Sequence, residues 1–160
     1  LDESRDYKAN SQSTQPWVAF RLAEVYLNYA EACLRTNDLA EAVIYINKVR
    51  QRPGVGLPAL QNLTTAEQVF DALRHERKIE LAFEGLYYWD MRRWNLASTQ
   101  FSGVRRHGLK VEKNASGTFT YTYVNVDNQN LNFPEKMYRL PIPTAELNNN
   151  KELTQFAEWK

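Results

Sequence analysis

Three carboxylates spaced four residues apart, Glu76, Glu80 and Glu84, are the first residues of this chain whose type and spacing invite a chemical reading. On a helix that spacing stacks them along one face. A carboxylate column can hold metal in a ferritin-like bundle, but there the partner helices supply Glu-x-x-His pairs. The residues three positions before His75 and His107 are Ala72 and Val104, so neither histidine has its glutamate, and no metal site is expected. Arg74, Arg77 and Lys78 lie among the carboxylates, and Arg92 and Arg93 follow Gly85. This points to an ion-pair network in which Arg77, Arg92 and Arg93 pin one helix pair to the next, costly to break on one side only. Glu80 is expected to lie partly buried on one of those three arginines.

Other reactive types are poorly placed for catalysis. Cys33 falls mid-helix on an apolar face, where a thiol is an inert core group. The serines sit in loops without a nearby histidine, and no Gly-x-Ser-x-Gly occurs. Pro53-Gly54-Val55-Gly56 lacks the Lys-Ser/Thr of a phosphate loop and reads as a helix stop. A glycan hydrolase would need two facing acids in a cleft, whereas these carboxylates cluster with arginines on one helix. No enzyme and no cofactor are expected. From Arg92 to Lys113 the chain carries Arg92, Arg93, Arg105, Arg106, Lys110 and Lys113 against Glu112, with Trp94 and Phe101 nearby. Such a mixture can track a nucleic-acid backbone, but a formal charge of +1 favours a solvated basic loop and no nucleic-acid partner. Tyr87, Tyr88, Trp89 and Trp94 would make a sugar-stacking platform, yet the spacing of Tyr87, Met91 and Trp94 assigns one face of a short helix to the core. Tyr121 and Tyr123, on a strand flanked by loops, are the candidate ligand contacts.

The elements that must position these residues follow from periodicity. A chain of 160 residues suits one domain, spanning 1–160, with a polar connector over 1–16, helical hairpins over 17–97 and an irregular, partly β region over 98–160. Leu22, Val25, Tyr26, Tyr29, Ala30, Cys33 and Leu34 keep helical spacing within a helix from about Trp17 to Arg35. Thr36-Asn37 breaks it. Asp38 and Glu41 form a capping-box pair, and the second helix turns Leu39, Ala42, Val43, Ile46 and Val49 inward as far as about Arg52. The pair has the look of a tetratricopeptide unit, with Ala30 and Ala42 as the small residues at a close crossing and Asn37 at the turn. A single such unit needs a neighbour to bury its faces. Thr64 and Glu67 cap a third helix from about Thr65 to Phe83, and a fourth spans about Tyr87 to Leu96. Ser98 to Gly108 reads as a basic loop. From Gly117 to Val126, Phe119, Tyr121 and Tyr123 alternate with Thr118, Thr120 and Thr122, a strand pattern. Met137 to Pro143 reads as extended chain because each proline disfavours helix before it. The fold class is therefore mainly α, with tetratricopeptide-like hairpins followed by a short β-element.

The aromatic content, with 4 Trp, 9 Tyr and 7 Phe, is compatible with glycan binding, and the single Cys33 excludes an internal disulfide. No run reaches the roughly 18 apolar residues of a membrane span. The chain opens on Leu1 without a basic or apolar leader.

Glu76-Arg77, then Glu80-Leu81-Ala82-Phe83-Glu84-Gly85, then Asp90-Met91-Arg92-Arg93-Trp94 resemble the signature of the SusD/RagB family, outer-membrane nutrient-binding lipoproteins of Bacteroidetes. Tyr29-Ala30-Glu31-Ala32 with Ile46-Asn47 and Val49-Arg50 upstream is similar to the family too. So is the ending, Leu140-Pro141-Ile142-Pro143, Glu146-Leu147-Asn148, Leu153-Thr154-Gln155 and Trp159. The three places occur in family order. The resemblance implies the C-terminal portion of a longer protein that binds oligosaccharide, or less often peptide, without chemistry. It also implies a position on the outward face of the outer membrane, a lipid anchor outside this chain and delivery to a SusC-type TonB-dependent channel. The family's glycan platform would lie largely upstream of the portion matched. A tetratricopeptide-type adaptor for a protein partner is the alternative from another class.

Overall fold

The computed structural model describes residues 18–160; the connector expected over 1–16 and the helix start expected at Trp17 lie outside them. The chain forms two compact units, Leu1–Ala82 and Phe83–Lys160.

In the first unit, α1 (Leu22–Arg35), α2 (Leu39–Arg50) and α3 (Ala66–Glu80) pack on one another. Asn37 takes a left-handed conformation at the α1–α2 turn, φ 64°, which asparagine tolerates better than most residues. Asp38 caps α2 by accepting the Glu41 N–H at 3.2 Å. The cap of α3 lies one residue beyond the expected pair. Thr65 accepts the Gln68 N–H, and the Gln68 side chain accepts from the Thr65 N–H in return, a complete capping box. Leu27, Ile46 and Leu73 are fully buried, each contributing about 1.5–3 kcal/mol relative to exposure. Ala30 and Ala42 are also fully buried, so the two helices approach closely where their side chains are small. The inward face of α1 keeps Ala30, Cys33 and Leu34 of the expected one but is turned at its N-terminal half. Leu22, Val25 and Tyr29 are 61%, 46% and 45% exposed, and the buried stripe is Leu27, Ala30, Cys33 and Leu34. Tyr29 and Tyr26 instead meet the Tyr45 ring at 4.3 and 5.5 Å, with the Lys48 ammonium 3.6 Å from its centre.

The loop after α2 is pinned by α2 itself. Asn47 grips Leu60 at both backbone groups, donating to its carbonyl at 3.1 Å and accepting its N–H at 2.7 Å. Arg50 donates to the Pro58 carbonyl at 3.0 Å and to the Glu76 carboxylate at 2.8 Å. Glu80 accepts from Arg21, just before α1, and from Arg52, just after α2; Arg21 also donates to the Glu80 carbonyl. This corrects the expected partners of Glu80, which were Arg77, Arg92 and Arg93. Arg77 is buried and donates to the Asn28 side chain at 2.6 Å. Arg93 bonds Asp90 at 2.9 Å, and Arg92 bonds the Tyr138 carbonyl at 2.8 Å. The expected column of three also shortens to two, because α3 ends at Glu80 rather than Phe83 and Glu84 falls in the following turn. Phe83 and Gly85 both have positive φ in that turn, at 66° and 78°.

In the second unit, α4 (Leu86–Arg93) and the short α5 (Ala97–Phe101) carry Met91 and Ala97 into a core with Phe133. Tyr87, Trp94, Phe101 and Tyr138 close around it. The expected strand is present as β2 (Phe119–Asn125) and pairs antiparallel with β1 (His107–Lys113). The Asn114 carbonyl accepts the Gly117 N–H at 3.0 Å in the connecting turn, where Gly117 has φ 83°. Three elements differ from expectation. The basic loop over Ser98 to Gly108 contains most of α5 and the first residues of β1. Met137 and Tyr138 belong to a 3-10 turn, Glu135–Tyr138, before the extended prolines. A further helix, α6 (Thr144–Asn149), follows. The tail is tied back by Gln155, whose amide bonds both backbone groups of Ile142, and by the Trp159 indole N–H on the Arg139 carbonyl at 2.7 Å.

Two stability outcomes follow from the first unit. Ala42→Leu adds a branched side chain at a fully buried crossing, and chemical denaturation should show a loss of roughly 1–3 kcal/mol; an unchanged midpoint would mean that the crossing has room. Glu80 has the second. Burial opposes its charge, but the hydrogen bonds from Arg52 and then Arg21 outweigh that and hold its pKa below the usual carboxylate value of 4.5. A carboxyl depressed in the folded state contributes stability above its unfolded pKa and loses it as pH falls through the folded one. Glu80→Gln should therefore cost more than the ~0–1 kcal/mol of a surface pair at neutral pH. It should also flatten the loss of stability below about pH 4.5. Acid denaturation limbs that run parallel in both proteins would contradict the pairing.

Candidate functional site

Among the described residues, no group of three or more His, Cys, Asp or Glu side chains comes together in a way that could hold a metal ion. Cys33 is a buried thiol on α1. Tyr29, one turn before it, has its phenol pushed up, chiefly by a hydrogen bond with the Cys33 thiol. His75 and His107 are exposed on α3 and β1 in different units. No described helix is long and apolar enough to cross a membrane.

The candidate contacts Tyr121 and Tyr123 stand on the β1–β2 ribbon. Antiparallel register sets Leu109 opposite Tyr123, Val111 opposite Tyr121 and Lys113 opposite Phe119. Side chains alternate along a strand, so these residues share one face. That face is open to solvent: Tyr121 is 62% and Tyr123 82% exposed, and Leu109, Val111 and Phe119 are each at least half exposed. Exposed apolar strips of this kind mark interaction surfaces. The alternation of β2 was legible; its partner was not, because Lys110, Glu112 and Lys113 masked the Leu109–Val111 repeat.

A second surface lies in the same unit. Tyr87 and Trp94 pack against the core as expected, but Trp89 does not. It is 56% exposed and lines a concavity of about 380 Å³ with Arg92, Arg93 and Tyr138. Arg92 lies 5.5 Å from the ring centres of both Tyr88 and Trp89 and 6.0 Å from that of Phe133, within cation–π range. Its guanidinium donates to the Tyr88 hydroxyl at 3.0 Å as well as to the Tyr138 carbonyl. Arg93 lies over the Trp94 ring at 4.5 Å and binds Asp90. The sequence reading assigned one face of this run, at the Tyr87, Met91 and Trp94 spacing, to the core and gave Trp89 no separate role. Three- and four-residue spacing identifies the buried Met91 and the partly buried Trp94, and the same geometry places Trp89 outward.

The first unit has a concavity of about 280 Å³ between α1 and α2, lined by Arg21, Leu22, Tyr26, Lys48 and Arg52 among others. Two of its cations are already answered by Glu80, and Lys48 lies over tyrosine rings. It reads as structural.

The family model for the SusD family matches residues 2–159. A SusD-like protein of Formosa agariphila, P2, is 31% identical over 148 residues, which is 89% of this chain and 25% of that protein. A SusD-like protein of Bacteroides ovatus is 35% identical over 122 residues, 68% of this chain and 21% of that protein. A crystal structure of a SusD-like protein from Bacteroides fragilis superposes with a TM-score of 0.73 at 34% identity, covering 88% of this chain and 25% of the other. A SusD-like carbohydrate binding protein from the same species gives a TM-score of 0.67 at 28% identity, covering 96% and 32%. The chain thus spans about a quarter of the length of these curated relatives. The matches extend over both units, from α1 to the Gln155–Trp159 tail, and the chain belongs to the SusD family.

Proposed function

We propose that this chain is part of a cell-surface lipoprotein that binds an oligosaccharide without chemistry and passes it to a SusC-type TonB-dependent channel in the outer membrane. One observation carries the reading beyond family membership: the β1–β2 ribbon presents Phe119, Tyr121 and Tyr123 as an exposed aromatic strip. Aromatic faces combine large apolar contact area with a polar edge, which suits the alternating CH faces and hydroxyls of a pyranose. A solved relative described as a carbohydrate binding protein supports the same reading. Cys33 is buried, and Glu76 and Glu80 are each paired with arginine, so these three groups serve the fold.

The full-length parent should bind a soluble oligosaccharide, and the 160-residue chain alone should bind it weakly or not at all, because a few desolvated contacts dominate such an interface. Calorimetric titration of both against a glycan panel decides. Equal micromolar affinity for the short chain would place the whole site within it, with Tyr121→Ala and Tyr123→Ala the variants to test. Binding of peptides and of no glycan by the parent would overturn the sugar reading.

A further inference from the structure

Arg92 is a half-buried cation with no opposite charge beside it among the described residues. A guanidinium has five N–H donors, and two are occupied by neutral acceptors, the Tyr138 carbonyl and the Tyr88 hydroxyl. No described carboxylate lies within ion-pair distance of Arg92. The rings of Tyr88, Trp89 and Phe133 cradle the charge without neutralising it. Its neighbour Arg93 is balanced by Asp90, which is only 5% exposed at its side chain. Within the concavity, the net positive charge therefore comes from Arg92. A cation withdrawn from water without a counter-charge is poised to accept one.

The same concavity offers an apolar wall. The Trp89 indole is more than half exposed on α4, and Tyr138 opposite is held in place by hydrogen bonds to the Ser98 N–H at 2.9 Å and hydroxyl at 3.3 Å. Its volume of about 380 Å³ falls in the ~300–1,000 Å³ range of small-ligand sites. The contrast with the first unit is direct: there Glu80 supplies the anion that Arg21 and Arg52 require, and here no described carboxylate pairs with Arg92.

We propose that the Trp89–Arg92–Arg93–Tyr138 concavity is a subsite for an acidic sugar, with the ring against the Trp89 indole and its carboxylate or sulfate on the Arg92 guanidinium. The inference rests on the reading of the protein as an oligosaccharide binder and adds that the oligosaccharide is anionic. Arg92 recognises the charge, because a planar fork of donors matches the paired oxygens of a carboxylate or sulfate. Trp89 supplies stacking that does not depend on charge.

The test is calorimetric titration of the full-length parent with a neutral oligosaccharide, a uronate oligosaccharide and a sulfated oligosaccharide of the same length. At least one acidic ligand should bind more tightly than the neutral one, and which of the two does so identifies the anion. Arg92→Gln should abolish that preference, weakening the acidic ligand about tenfold or more relative to the neutral one. Trp89→Ala, which removes an exposed ring and leaves the core intact, should weaken the preferred acidic ligand by roughly two- to tenfold. Equal affinity for neutral and acidic ligands would overturn the inference and leave the proposed function standing. So would a preference that survives Arg92→Gln, or Trp89→Ala binding the acidic ligand as the wild type does. If Arg92→Gln does not fold, the Trp89→Ala result decides. Absence of binding to every glycan would instead sink the proposed function itself.

Discussion

The first unit depends on two carboxylates one turn apart on α3 and on the arginines that reach them from other helices. Glu80 is bound from the start of α1 by Arg21 and from the end of α2 by Arg52. Glu76 is bound by Arg50, with side chains 6% and 17% exposed respectively. Neither carboxylate could lie so far from water alone, since an ion withdrawn from solvent needs both a partner and hydrogen bonds. The constraint therefore runs through geometry: the beginning of α1, the end of α2 and the end of α3 must converge for the charges to be satisfied together. The Ala30 and Ala42 positions then let the α1 and α2 backbones close, and Asn47 and Arg50 hold the loop between α2 and α3. Removing one member of this arrangement leaves its partner buried and uncompensated, which costs more than the pair is worth against apolar replacements.

Much of this was legible in the sequence, and the failures have physical causes. The four main helices and β2 follow from three-and-four and alternating patterns that local geometry imposes. The density of charge around Glu80 correctly announced partial burial on arginine, but the partners were misassigned. Arg21 and Arg52 stand 59 and 28 positions away, whereas Arg77, three residues off, looked nearer and turns out to meet Asn28. Periodicity reports which face is buried, not which distant chain covers it. The face of α1 has the same origin: Ala30, Cys33 and Leu34 are buried as expected, but Leu27 joins them in place of Leu22, Val25 and Tyr29, a choice that tertiary packing made.

The candidate surfaces were legible to different degrees. Tyr121 and Tyr123 stood out because threonines alternate with them, and the structure leaves both exposed. Trp89 was hidden by its neighbours, since an aromatic run on a short helix necessarily sends one member outward when Met91 and Trp94 go in. The family-like residues also acquire individual roles. Asn47 and Arg50 hold a loop, Gln155 and Trp159 hold the tail, and Gly85 takes the left-handed conformation from which α4 begins. These are scaffold duties, whereas Arg92 and Arg93 of the family-like run line the concavity beside Trp89.

The proposed function requires that the second unit keep aromatic side chains open for sugar rather than for its own packing. A crystal structure of the full-length parent with a bound oligosaccharide tests it most directly. The claim predicts sugar rings in contact with Trp89 or with the Tyr121–Tyr123 strip. Those three side chains buried beneath the protein's own residues, with the sugar bound elsewhere, would contradict it.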